Sequence, residues 1–175
     1  ANFCITENDE ECLMQYAIDS IVDEEALKKV LEIMLDKVPV HGAMPDGSTM
    51  LHVAAQNARV TIGEMFLNRG IEANVQNNCS ETPLHHAVCG KDDIDKRQKM
   101  VKLLLQRGAN VNSQQKQGNT PLHYACQHGS DHIVETLFEH GASLESANAN
   151  GEHPLHAAAK HSDFFAKVSI LDCLL

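Results

Sequence analysis

Histidine and cysteine are the side chains here with metal or nucleophilic chemistry on offer, and the chain has eleven of the first and six of the second. Four histidines close near-identical blocks: Thr49-Met50-Leu51-His52, Thr82-Pro83-Leu84-His85, Thr120-Pro121-Leu122-His123 and His153-Pro154-Leu155-His156. The blocks begin 33, 38 and 33 residues apart, and self-similarity at such a period marks a repeat array. Stacked helices lie about 8–10 Å apart, whereas two ligands of one zinc must each come within about 2.1 Å of it. Equivalent histidines of successive units are therefore poorly placed to share a metal. Their expected work is structural: each imidazole bonds local backbone and the capping Thr, tying one unit to the next. His85 and His86 are adjacent and point about 100° apart on a helix. His128 and His132 have a helical metal spacing, but Gly129 falls between them at a turn. No metal is expected.

The cysteines, Cys4, Cys12, Cys79, Cys89, Cys126 and Cys173, form no CxxC pair, and zinc-ribbon spacing is absent. Cys89 or Cys126 beside a histidine suggests a nucleophile, yet the same positions hold Gln56 or Ala55, and Lys160 or Ala159, in other units. Neither cysteine comes with a Gly-rich oxyanion turn or a strand. No phosphate loop, dinucleotide fingerprint or carboxylate pair occurs. The segment reads as non-enzymatic, with no cofactor. Cys126 sits where a small apolar side chain belongs, and free thiols in a core suit a reducing compartment.

The elements that must position these residues follow from each block. Thr before Pro starts a helix, because the hydroxyl caps a free N–H and Pro has no N–H to leave unpaired. Small and apolar residues follow, as in Leu84, Ala87 and Val88. A longer amphipathic helix comes next, such as Val101–Leu105, and stops at Gly70, Gly108 or Gly141, where a left-handed residue is favoured. Met14, Ala17, Ile18, Leu31 and Leu35 fit a degenerate first unit, lacking Thr-Pro and the final Gly. It reads as a capping repeat with Asp9-Glu10-Glu11 and Asp23-Glu24-Glu25 facing water. The third unit carries five extra residues around Gly90–Lys99, which add about 7.5 Å if helical. Asp92 or Asp93 can cap its second helix, and Lys96 and Arg97, four residues on, can pair with those carboxylates.

Gly118-Asn119-Thr120-Pro121-Leu122-His123-Tyr124-Ala125-Cys126 and Gly108-Ala109-Asn110-Val111-Asn112 resemble the ankyrin repeat, over at least residues 44–161. The resemblance implies an all-α solenoid of stacked helix–turn–helix units joined by β-hairpin-like loops. The approximate units are 9–43, 44–76, 77–114, 115–147 and 148–175. It also implies a protein–protein interaction module whose partner meets the hairpin tips and the exposed side of the short helices. The matching tips are Pro45, Asp46 and Ser48; Asn78, Cys79 and Glu81; Lys116, Gln117 and Asn119; Ala149, Asn150 and Glu152. The matching helix positions are Gln56 and Asn57, Cys89 and Gly90, Gln127 and His128, Lys160 and His161. Thr49, His52, Thr82, His85, Thr120, His123 and His156 belong to the scaffold. Asn112, closing the G-A-x-V-N segment, matches the acceptor of an asparaginyl hydroxylase, and Asn74 matches it less well.

Composition narrows the partner. With no Trp and 4% aromatics, the core must come from Leu, Val, Ile, Met and Ala. A formal charge of −10 disfavours nucleic acid and anionic membrane surfaces, and a protein with a basic segment is admissible. The absence of a signal peptide or apolar span fits a cytoplasmic or nuclear address and no direct membrane contact. The chain begins at Ala1 without Met and stops at Leu175 inside a helical pattern, so it reads as a fragment, monomeric by itself, of a longer protein. Two other roles remain open: the regulatory segment of a larger enzyme or channel, and an ankyrin-type inhibitor of a transcription factor.

Overall fold

The computed structural model describes residues 7–21, 23–35, 43–90, 93–128 and 130–160; side chains are described from residue 13 onward. Nine helices lie in these segments, and the one isolated β-bridge joins Ala43 to Thr49. They alternate along the chain. The first helix of each pair is α1 (Glu7–Ser20), α3 (Met50–Gln56), α5 (Pro83–Cys89), α7 (Pro121–Gln127) or α9 (Pro154–Ala159). The second is α2 (Glu24–Leu35), α4 (Val60–Asn68), α6 (Ile94–Gln106) or α8 (Asp131–Glu139). First helices pack on first helices and second on second, so each unit rests on its neighbours. This all-α stack is a solenoid.

Burial follows the repeated letters. Leu51, Leu84 and Leu122 are fully buried, with Ala54, Ala87 and Ala125 beside them. Short side chains at these sites let the first helices approach closely. Met100, Leu104, Ile133 and Leu137 close the core from the second helices. Gly70, Gly108 and Gly141 follow their helices at φ +94°, +84° and +84°, the left-handed stop that glycine supplies without a Cβ clash. Leu155, at the position of Leu84 and Leu122, is 39% exposed; the expected remainder of its unit lies outside the described residues, as does His161.

Two local expectations need correction. The α6 N-cap is Asp93, whose carboxylate accepts the Asp95 N–H, but Arg97 does not pair with it. The Arg97 side chain turns inward, is 9% exposed, and donates to the Val88 carbonyl at the end of α5. A helix C-terminus carries partial negative charge, so this carbonyl end replaces the carboxylate. Next, α1 has 14 residues against seven in α3, α5 and α7, so the first unit does not begin with a short helix. Of its acidic stretches, Asp23 and Glu25 face water and Glu24 is half-buried, while the side chains of Asp9-Glu10-Glu11 lie outside those described; Leu13, Tyr16 and Ile33 are exposed in this unit too.

Candidate functional site

Each repeated histidine is a clamp built from a cap. Thr49, Thr82 and Thr120 take extended backbone before their helices and form capping boxes with the histidine three residues on. The Nδ1 atoms of His52, His85 and His123 accept the Thr N–H at 3.0, 3.1 and 3.1 Å. An acceptor at Nδ1 places the proton on Nε2. That N–H donates to a carbonyl of the following unit: Glu81 at 3.0 Å, Asn119 at 3.2 Å and Glu152 at 3.0 Å. His156 likewise accepts the His153 N–H at 3.0 Å. Burial pushes His52 and His85 down to about 4, against which the bonds to Glu81 and Asn119 act weakly, and it lowers His123 as well. These imidazoles are neutral at pH 7 with both nitrogens engaged. They hold units together and have no lone pair left for a substrate.

The hairpins form a second ladder. Asn77, Gln115 and Asn148 N–H groups donate to Glu81, Asn119 and Glu152 carbonyls at 3.0, 3.1 and 2.9 Å. Between units, Asn78, Lys116 and Ala149 N–H groups donate to Asp46, Cys79 and Gln117 carbonyls at 2.8, 3.0 and 2.8 Å. Side chains reinforce the turns: the Asn77 amide oxygen accepts Cys79 and Glu81 N–H groups, and Asn148 does the same for Asn150 and Glu152. Sequence reasoning missed these amides. The signal was available, since Asn77, Gln115 and Asn148 each stand eight residues before a clamp histidine. Asn74 and Asn112 also bridge units, donating to Gly108 and Gly141 carbonyls and accepting Asn110 and Ser143 N–H groups.

What is left over is a row along the hairpins and first helices. Pro45, Asp46, Gln56, Asn78, Cys79, Lys116, Gln117, Gln127, His128, Ala149, Asn150 and Lys160 are exposed; Asn57, Glu81, Asn119 and Glu152 are half-buried. Two expected members do not reach solvent. Ser48 is 2% exposed, its hydroxyl donating to Asp46 at 3.0 Å. Gly90 is buried so tightly that a Cβ there would lie 2.6 Å from the Gln56 carbonyl oxygen. The same Ser48 N–H and hydroxyl hold the Asp46 carboxyl below its usual range.

The positions four residues before and four after each repeated histidine hold Ser48 and Gln56, Glu81 and Cys89, Asn119 and Gln127, Glu152 and Lys160. Glu152 pairs with Lys160 directly. Around Glu81 a network forms with Asn77 at 3.1 Å, Tyr124 at 3.2 Å and His86 at 3.4 Å. Tyr124 and His86 were not foreseen as parts of this row. Between the last two units, Asn119, Gln127, Asn148, Asn150, Glu152 and Lys160 line an open polar hollow of about 430 Å³.

The cysteine chemistry is muted. Burial pushes the Cys126 thiol up to about 12, and burial with the Glu81 charge pushes Cys89 up to about 11. Thiols, not thiolates, stand there at neutral pH. Among the described residues no three His, Cys, Asp or Glu side chains converge on a point that could hold a metal. No described helix is long and apolar enough to cross a membrane.

Repeated helical pairs, clamped through their caps and joined by hairpins, define a stacked-repeat protein with an open polar row. The ankyrin-repeat family pattern, in its three-copy form, matches residues 13–115 and 95–172, and the chain belongs to that family. It is also similar to the ankyrin repeat protein FPV230 of Fowlpox virus (strain NVSL), with 33% identity over 72 residues. That match spans 39% of this chain and 38% of the viral protein's length. Ankyrin repeats are generally protein–protein interaction modules and are typically non-catalytic.

Proposed function

We propose that the chain binds a protein partner through its hairpin tips and the exposed side of its first helices. One observation carries this reading. Residues identical from unit to unit are spent on internal bonds, while at positions that vary along the array Asp46, Gln56, Lys116 and Gln127 stand in solvent along one row. A solenoid offers its concave side to partners, and the inventory of this row is polar and adaptable. The division into units 9–43, 44–76, 77–114, 115–147 and 148–175 is part of the proposal, as is a cytoplasmic or nuclear setting. Capture from cell extract by this chain, compared with a version altered at Asp46, Gln56, Lys116 and Gln127, tests the face. Proteins held by the first and lost by the second support it. Equal capture by both sinks the assignment.

A basic nuclear-import-like segment is the partner implied by the inhibitor reading, favoured by the net charge of −10. Its binding should weaken steeply with salt, and affinity constant between low and high salt would count against it. If the chain instead regulates a larger enzyme or channel, the same face would engage a domain of that protein. Asn112 is proposed as an asparaginyl hydroxylase acceptor; intact-mass spectrometry after exposure to the enzyme should show one added oxygen, and no gain rejects it.

A further inference from the structure

We propose that Glu81 is the seat for a lysine ammonium supplied by the protein partner, entering over Cys89. The proposal rests on the concave-face reading above and names one contact within it.

The chain contains its own precedent. Glu81 and Glu152 stand at the same place, four residues before a clamp histidine. Each lies in the same hairpin framework: an Asn four residues earlier accepts its N–H at 3.0 Å and faces its carboxylate, at 3.1 Å for Asn77 and 3.5 Å for Asn148. Over Glu152 comes Lys160, four residues after the histidine, whose ammonium pairs with the carboxylate. The residue at that place in the third unit is Cys89, a side chain too short and uncharged to do the same.

Glu81 therefore keeps the geometry and lacks the cation. Its side chain is 27% exposed, and no Lys or Arg pairs with it among the described residues. Burial alone would raise its pKa, but the Asn77 bond, the His86 ring and the Tyr124 hydroxyl outweigh it and hold the carboxyl below its usual range. His86 at 3.4 Å acts as a counter-ion only when protonated, and burial lowers its own pKa. A half-buried carboxylate kept ionised by its hydrogen bonds, with no Lys or Arg beside it, can accept a charge-assisted bond from an incoming ammonium. Its charge already reaches the half-buried Cys89 thiol, so the two side chains are near one another.

The probe is acetyl-Gly-Ala-Lys-Ala-Gly-amide, with a norleucine analogue as control, titrated at low ionic strength while the side-chain carboxyl ¹³C and amide signals are followed. The lysine peptide should shift the Glu81 carboxyl saturably, with the norleucine peptide at least about tenfold weaker, since one charge-assisted bond is worth more than about 1.4 kcal/mol. Cys89→Lys fills the seat from within and should abolish the preference for lysine. Lys160→Cys opens the equivalent seat, so Glu152 should begin to respond. Equal shifts with both peptides, or an undiminished lysine response in Cys89→Lys, overturn the proposal. Lysine-independent shifts at Gln56 and Gln127 in that case would leave the concave-face reading standing, and silence at every residue of the row would contradict both.

Discussion

A histidine that bonds forward and backward is the residue-scale feature that makes this stack pH-sensitive. His52 and His85 carry folded pKa values of about 4 against an ordinary 6.5. Between those values the unfolded chain binds more protons, so stability rises with pH there. The contribution is complete above about pH 6.5 and is lost as the pH falls towards 4, by up to about 3 kcal/mol per histidine. Urea midpoints measured from pH 7 to pH 5 should fall steadily, and His85→Gln should flatten that slope; a wild-type midpoint independent of pH contradicts neutral clamps. The Thr–His pairing was legible because both partners lie within four letters and recur. The acceptor carbonyl was not, since it lies 29 to 34 residues away and backbone oxygens leave no mark in a sequence.

The hairpin offers a second test at this scale. Gly47, Gly118 and Gly151 occupy one turn position at φ +80°, +78° and +74°, and Ser80 occupies it at φ +60°. Left-handed backbone costs a residue with a Cβ about 1–2 kcal/mol, while glycine's freedom in the unfolded chain costs about 0.4–1 kcal/mol. The first term wins. Ser80→Gly should stabilise by roughly 0.5–1 kcal/mol in equilibrium denaturation, and a loss of stability would mean that the serine makes a compensating contact.

At the scale of the element, helix length separates the units. Helices α2 and α6 have 12 and 13 residues, α4 and α8 nine each. The surplus in α6 was visible as extra letters and an Asp at its start. The fate of Arg97 was not, because a charged residue four positions after an Asp reads as an ion pair until the end of α5 is seen beneath it. Asp93→Ala removes the side-chain bond to the Asp95 N–H and should cost about 0.5–2 kcal/mol, the usual loss for an N-cap. A change within error would show that the early turn of α6 needs no cap. Gln98, on the same helix, donates to the Thr136 hydroxyl at 3.0 Å, so the lengthened helix also reaches forward.

Across the whole molecule, the ruler of repeated letters made the fold readable, and the same uniformity limited what could be read of the site. Positions that match in every unit reveal a scaffold, while positions that differ say only that they differ. Ser48 shows the limit: at the level of letters it belongs with Glu81 and Asn119, yet its short hydroxyl folds under Asp46 and leaves the row. Leu122 sits in the middle of the stack with no exposure. Leu122→Ala should destabilise by about 2–5 kcal/mol, read from calorimetry or denaturant melts, and a loss well under 1 kcal/mol would mean that neighbouring units repack around the gap. Because neighbours share every interface, that loss should appear in the third and fifth units as faster amide exchange.

The central claim is that scaffold and recognition occupy different residues of one repeat. Hydrogen–deuterium exchange of the chain alone and with its captured partner tests it most directly. The account predicts protection concentrated at residues 45–47, 56–57, 78–81, 116–119 and 127–128, with the outer faces of α4, α6 and α8 unchanged. Protection confined to those outer helices, with the hairpins and first helices unaffected, would contradict it.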